Sequence, residues 1–191
     1  MSECLALTPS QTVGPFFGTA LPWPGGPTLV TPETLGERIE VRGRVLDGDG
    51  IPVIDALVEL WQANAAGRYA HPDDRREELL VDPAFLGFGR CATDTEGRYG
   101  FHTIRPGRVP ASGPGLQAPH LVLGVFARGL LHRLETRAYF EDSDNAGDPV
   151  LSLVDPARVG RLIARREAAS TPVYRFDIVL QGLGETVFFS F

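Results

Sequence analysis

The chain has 191 residues, 43% of them hydrophobic and 22% charged, with a formal net charge of −6. That length suits one domain with a sizeable core, and the acidity argues against a nucleic acid or an anionic membrane as partner. All 18 positive charges are arginines, which excludes Schiff-base, lysine-nucleophile and Walker-lysine chemistry within the chain.

No apolar run approaches the ~20 residues of a membrane span. The start, Met1-Ser2-Glu3-Cys4, lacks the basic-then-apolar plan of a signal peptide. The expected location is therefore cytoplasmic, with Cys4 and Cys91 as reduced thiols.

Residues 1–37 hold six prolines and five glycines without a sustained period, and read as an arm leading into a single domain over 38–191. Its distinctive piece is Thr8-Pro9-Ser10-Gln11-Thr12-Val13-Gly14-Pro15-Phe16-Phe17. Glycine permits close backbone approach and proline stiffens it. From chemistry alone the favoured reading is an arm that packs its aromatics on its own domain.

From Arg38 onward, Ile39, Val41 and Val45 alternate with Glu40, Arg42 and Arg44, which predicts a half-buried strand. Turn chemistry follows at Asp47-Gly48-Asp49-Gly50. Further strands are predicted over 56–61, 98–104, from His120 onward, over 133–140, over 174–180 and over 186–191. Residues 70–84 are charged and loop-like. One helix is expected near 155–167: Asp155 as N-cap, Pro156 at the first helical position, and Val159, Leu162 and Ile163 at i, i+3 and i+4. Short strands punctuated by turns point to a mainly β protein, an antiparallel β-sandwich.

Several chemistries can be set aside. The run Asp142-Ser143-Asp144-Asn145-Ala146-Gly147-Asp148 starts like a calcium loop, but Ala146 and Leu153 stand where the loop needs oxygens. There is no Gly-x-Ser-x-Gly elbow for a serine hydrolase, and Cys91 has no paired base nearby in sequence. The strand at His120 holds half of a metal site. Residues i and i+2 of a strand share a face, so a His-x-His pair would aim two imidazoles at one point. Here the second position is Val122, and the bottom-up reading is a satisfied polar histidine.

The segments Val58-Glu59-Leu60-Trp61-Gln62-Ala63-Asn64-Ala65-Ala66-Gly67-Arg68-Tyr69, Gly89-Arg90-Cys91-Ala92-Thr93-Asp94 and Thr103-Ile104-Arg105-Pro106-Gly107 resemble those of the intradiol ring-cleaving dioxygenases. The arm at residues 8–15, Ala118-Pro119-His120 and the run from Tyr174 to Phe189 are similar to the two-subunit branch, in which an iron-free alpha subunit accompanies an iron-bearing beta subunit. The resemblance implies a sandwich of the intradiol type and a non-haem Fe(III) held by two tyrosines and two histidines, with an arginine nearby. Laid on this sequence, those ligands fall on Tyr69, Val109, His120 and Val122, and the arginine on Gln117. Three of the five positions depart from the pattern, which implies a chain without iron of its own. The implied partner is the iron-bearing beta subunit, in a higher hetero-oligomer of such pairs, with protocatechuate and O2 as substrates. In the same branch the alpha arm and an arginine reach the partner's pocket, and those positions are Thr12, Gly14, Pro15 and Arg133. Two rivals remain at this level: a structural module of the transthyretin-like sort, and a self-sufficient dioxygenase with an unusual ligand set.

Overall fold

The computed structural model describes residues 9–14 and 16–190. Cys4 and Pro15 lie outside the described residues. Eleven strands follow one another among them: β1 (Arg38–Leu46), β2 (Leu57–Trp61), β3 (Phe88–Ala92), β4 (Arg98–Ile104), β5 (Val109–Pro110), β6 (Leu116–Gln117), β7 (His120–Phe126), β8 (Leu134–Phe140), β9 (Ile163–Glu167), β10 (Val173–Arg175) and β11 (Ile178–Val179). A one-turn helix, α1 (Phe17–Ala20), precedes them.

The expected two-layer antiparallel sandwich is not what these strands build. They form one sheet that runs β4-β1-β10-β9-β8-β7-β2-β3, with β11 beside the far end of β1 and the hairpin β5–β6 apart. The two terminal strands face each other. Gly100 N–H of β4 points at Cys91 Sγ of β3, 3.5 Å away. Residues 26–29 stitch the gap: Arg90 N–H donates to Gly26 O, His102 N–H to Pro27 O and Leu29 N–H to His102 O. The result is a nearly closed, barrel-like sheet. Three of its pairings are parallel, β1 with β10, β1 with β11 and β8 with β9. Alternation along a strand reports which face is buried; it carries no information on which neighbour a distant strand finds.

The inner face is filled by Val41, Val58, Leu60, Phe101, Leu121, Leu123, Val125, Phe140, Tyr174 and Ile178, each fully buried. Fully burying such side chains contributes about 1.5–3 kcal/mol apiece. The predicted strand at 174–180 is split in two. Phe176 and Asp177 cross over Gly43, where a Cβ would fall 1.8 Å from Phe176 O. Phe176 N–H reaches Arg42 O and Leu180 N–H reaches Leu46 O, so both halves stay on β1. The predicted terminal strand is reduced to one bridge, Glu135 to Phe189.

The helix expected near 155–167 is also corrected. Asp155 does start a turn, accepting Ala157 N–H at 2.9 Å. Only a 3-10 turn, Val159–Leu162, follows, and Ile163 already belongs to β9. Gly160 weakens helix propagation, and i to i+3 spacing suits a 3-10 turn as well as an α-helix. The ladders to β8 and β10 then claim residues 163–167.

Candidate functional site

Strands β3, β2, β7 and β8 lie side by side, and their register sets the outer face. Phe88 pairs with Trp61, Trp61 with Val122, and Val122 with Arg137; one step along, Glu59, Gly124 and Glu135 form a second row. Because side chains alternate, His120 and Tyr139 lie on the same face as Val122 and Arg137. Above it opens a cavity of about 900 Å³, lined among others by Trp61, Tyr69, Arg76, Phe88, Val122 and Arg133.

The loop after β2 brings Tyr69 into place. Asn64 Oδ1 accepts N–H bonds from Ala66 and Arg68, and Asn64 Nδ2 donates to Leu80 O. Gly67, at φ +81°, packs so close to residue 108 that a Cβ would sit 2.0 Å from Arg108 O. Tyr69 then stacks on Trp61, ring centroids 5.6 Å apart and nearly coplanar at 8°. The charged segment 70–84 folds back as a wall. Asp74 accepts Tyr69 N–H and binds Arg76, whose guanidinium holds the Asp74 carboxyl down at about 2. His71 meets Trp61 edge-on.

Four of the five sequence-predicted vestigial positions gather at one end of this face. Val109 is buried and pairs with Gln117 across the β5–β6 hairpin. His120 is 5% exposed; its Nδ1 lies 2.8 Å from Ala118 O, which fixes the proton on Nδ1 because a carbonyl only accepts. Burial, and then the charge of Arg137, push its pKa down to about 4. Val122 stands between Trp61 and Arg137. The fifth position, Tyr69, stacks on Trp61 and lines the same cavity as Val122, with its phenol pushed up by burial.

These residues do not fit a ferric ion. Val109 and Val122 offer no lone pair. That leaves Tyr69 and His120 as the donors among the four ligand positions. Among the described residues no three His, Cys, Asp or Glu side chains gather as a metal site.

The arm positions lie elsewhere. Thr12 Oγ1 accepts Gly129 N–H at 3.0 Å, and Gln11 and Val13 line a shallow depression with Leu131, His132 and Arg133. Thr12 and Arg133 are thus brought to one surface. Gly14 is exposed with open space around its Cα, and Pro15 lies outside the described residues. Of the arm's aromatics, Phe17 is buried and Phe16 is 78% exposed, while Trp23 stacks on Phe88. Arg133 is itself paired, through Nη1 with Glu59 at 3.2 Å and through Nη2 with Glu135. Arg137 is the residue that sequence reasoning missed. On the strand pattern it is one more outward arginine, and only the register with Val122 reveals its place.

Comparison with known proteins follows the same lines. The family model described as Dioxygenase matches residues 13–182. The chain is 43% identical to the protocatechuate 3,4-dioxygenase alpha chain of Pseudomonas putida, covering 99% of this chain and 98% of that one. It is 48% identical to the beta chain of Burkholderia cepacia over a shorter match, 81% of this chain and 68% of that one. Among solved structures, 3-chlorocatechol 1,2-dioxygenase from Rhodococcus opacus 1CP superposes with a TM-score of 0.60 at 25% identity, covering 82% of this chain and 67% of that one.

Proposed function

The chain belongs to the intradiol dioxygenase family, and we propose that within it this chain is the iron-free alpha subunit of a protocatechuate 3,4-dioxygenase. The reaction is intradiol cleavage of protocatechuate with O2 to 3-carboxy-cis,cis-muconate, at an Fe(III) held by the beta subunit. Similarity to both alpha and beta chains supports a partner of the same fold; the proposed assembly is a higher hetero-oligomer of such pairs, in the cytoplasm. Residues 1–37 are the partner-contacting arm and 38–191 the dioxygenase-like domain. Within the arm, residues 26–29 serve the domain itself, as the stave beside β3 and β4.

The observation that carries this reading is the vestigial site, where valines stand in two of the four ligand positions. It favours a chain that acts through its partner over a self-sufficient dioxygenase. The chain's own contribution is one wall of the partner's pocket, from Thr12, Gly14, Pro15 and Arg133. Protocatechuate carries a carboxylate away from its ring hydroxyls, and a guanidinium binds a carboxylate through a planar fork of donors. Two of the five N–H donors of Arg133 serve Glu59 and Glu135. The rest remain for a substrate, and the side chain is 42% exposed.

The test is steady-state kinetics of the complete alpha–beta enzyme carrying Arg133→Ala. Loss of a charged hydrogen bond costs about 1.5–3 kcal/mol, so KM for protocatechuate rises roughly 10- to 100-fold. Catechol, which has no carboxylate, is cleaved as before. Unchanged KM and kcat for protocatechuate would remove Arg133 from the pocket.

A further inference from the structure

The vestigial site has lost its metal-ligating pattern, yet a cation lies among its residues. Arg137 leaves β8 directly across from Val122, on the outer face of the sheet. Its Nη1 donates to Gln117 Oε1 at 2.5 Å and lies 3.4 Å from the Tyr139 hydroxyl. The rings of Tyr139 and His120 are 5.5 Å apart, and the Tyr139 hydroxyl points to Asp148 at 3.3 Å. The same Asp148 accepts Ala118 N–H through its other oxygen at 2.7 Å. Arg137 is thus bonded to one of the five vestigial positions, Gln117, and is the cross-strand neighbour of a second, Val122.

Two details describe the surroundings of Arg137. The exposed and half-exposed arginines of this chain mostly sit in ion pairs, such as Arg133 with Glu59 or Arg76 with Asp74. Among the described residues no carboxylate forms an ion pair with Arg137, and its Nε is buried without a hydrogen-bond partner. The side chain is partly buried, and taking charge out of water without partners is costly; the partners it has are an amide oxygen, a phenol hydroxyl and the Phe189 ring, whose centroid lies 5.9 Å from the guanidinium carbon. These are neutral acceptors and a π face, the surroundings of a cation bound by dipoles.

We propose that Arg137 is the built-in substitute for a metal ion at this site: its guanidinium supplies the positive charge, ties the β5–β6 hairpin to β8 through Gln117, and keeps a metal out. Gln117 takes part as the acceptor. It stands where the family pattern has an arginine, so the cation has in effect moved from β6 to β8. The loss of ligands at 109 and 122 then leaves no hole in the sheet face, because a side chain does the cross-linking.

The inference rests on the reading of the chain as an iron-free subunit, but its test uses this chain alone, so either can fail while the other stands. In the first arm, Val122→His restores a His-x-His pair, and binding of Zn(II) or Ni(II) to the full chain is measured by calorimetry with Arg137 present and with Arg137→Met, which keeps the bulk of the stem. The metal is expected to bind at least about 10-fold more tightly once the guanidinium is gone, the scale on which groups around a metal tune its affinity. Equal affinity in the two backgrounds would overturn the exclusion. In the second arm, Arg137→Ala is followed by thermal melting. The melting temperature is expected to fall and to recover in millimolar guanidinium but not in equal sodium chloride. A melting temperature that does not respond to guanidinium would show that Arg137 does not hold the site together.

Discussion

At the scale of single residues, His120 is stranded as a neutral imidazole. Burial is the larger cause and the charge of Arg137 the second, and together they bring its pKa to about 4. In the unfolded chain a histidine titrates near 6.5. Below that value the unfolded state binds a proton that the folded state refuses, so stability falls as pH drops from about 6.5 to about 4 and levels off below. The shift corresponds to up to about 3 kcal/mol. Urea unfolding between pH 4 and 7 should show this slope, and His120→Asn should flatten it; an unchanged slope in the variant would place the acid sensitivity elsewhere. What the sequence shows of this site is the set of absences. Valine at 109 and 122 has no donor atoms in any fold. What it hides is the replacement, because Arg137 reaches the site through strand register and not through sequence spacing.

At the scale of elements, the segment from Gln62 to Tyr69 is the part whose motif was plain and whose work was not. Asn64 folds the loop on itself, its carbonyl accepts Gly107 N–H, and Gly67 lets the chain touch Arg108 just before β5. Tyr69 and Val109, far apart in sequence, are placed by this one contact. Gly67→Ala would bring a Cβ to 2.0 Å from Arg108 O at a positive φ. The expected cost is about 2–4 kcal/mol, in the range of strained-backbone and overpacking substitutions. Chemical denaturation reads the loss, and the near-ultraviolet signal of stacked Trp61 and Tyr69 should change with it. A variant of native stability would show that the loop relaxes freely. The misread helix belongs to this scale too. Its start at Asp155 was legible because capping is local; its end was not, because the strands that claim residues 163–167 come from β8 and β10.

At the scale of the molecule, the alternating strands made a mainly β protein legible, while the closure of the sheet rests on pairs that sequence periodicity does not report. Chief among them are β10 and β11, which lie parallel to β1 and were read as a single strand. They and the crossing between them carry Tyr174, Phe176 and Ile178, buried to 3% exposure or less, and Phe176 O accepts the buried Tyr99 hydroxyl at 2.6 Å. Three such side chains contribute roughly 5–9 kcal/mol by burial. A domain of this kind is stable by only about 5–15 kcal/mol in total, so a loss of burial on this scale is large against the margin. Removing residues 168–191 is therefore expected to leave a chain without a cooperative thermal transition, expanded on size exclusion. Removing residues 1–13 leaves residues 26–29 in place beside β3 and β4 and should retain the transition. A cooperative melt in the C-terminally shortened chain would mean that β1, β4 and β9 close the sheet without β10 and β11.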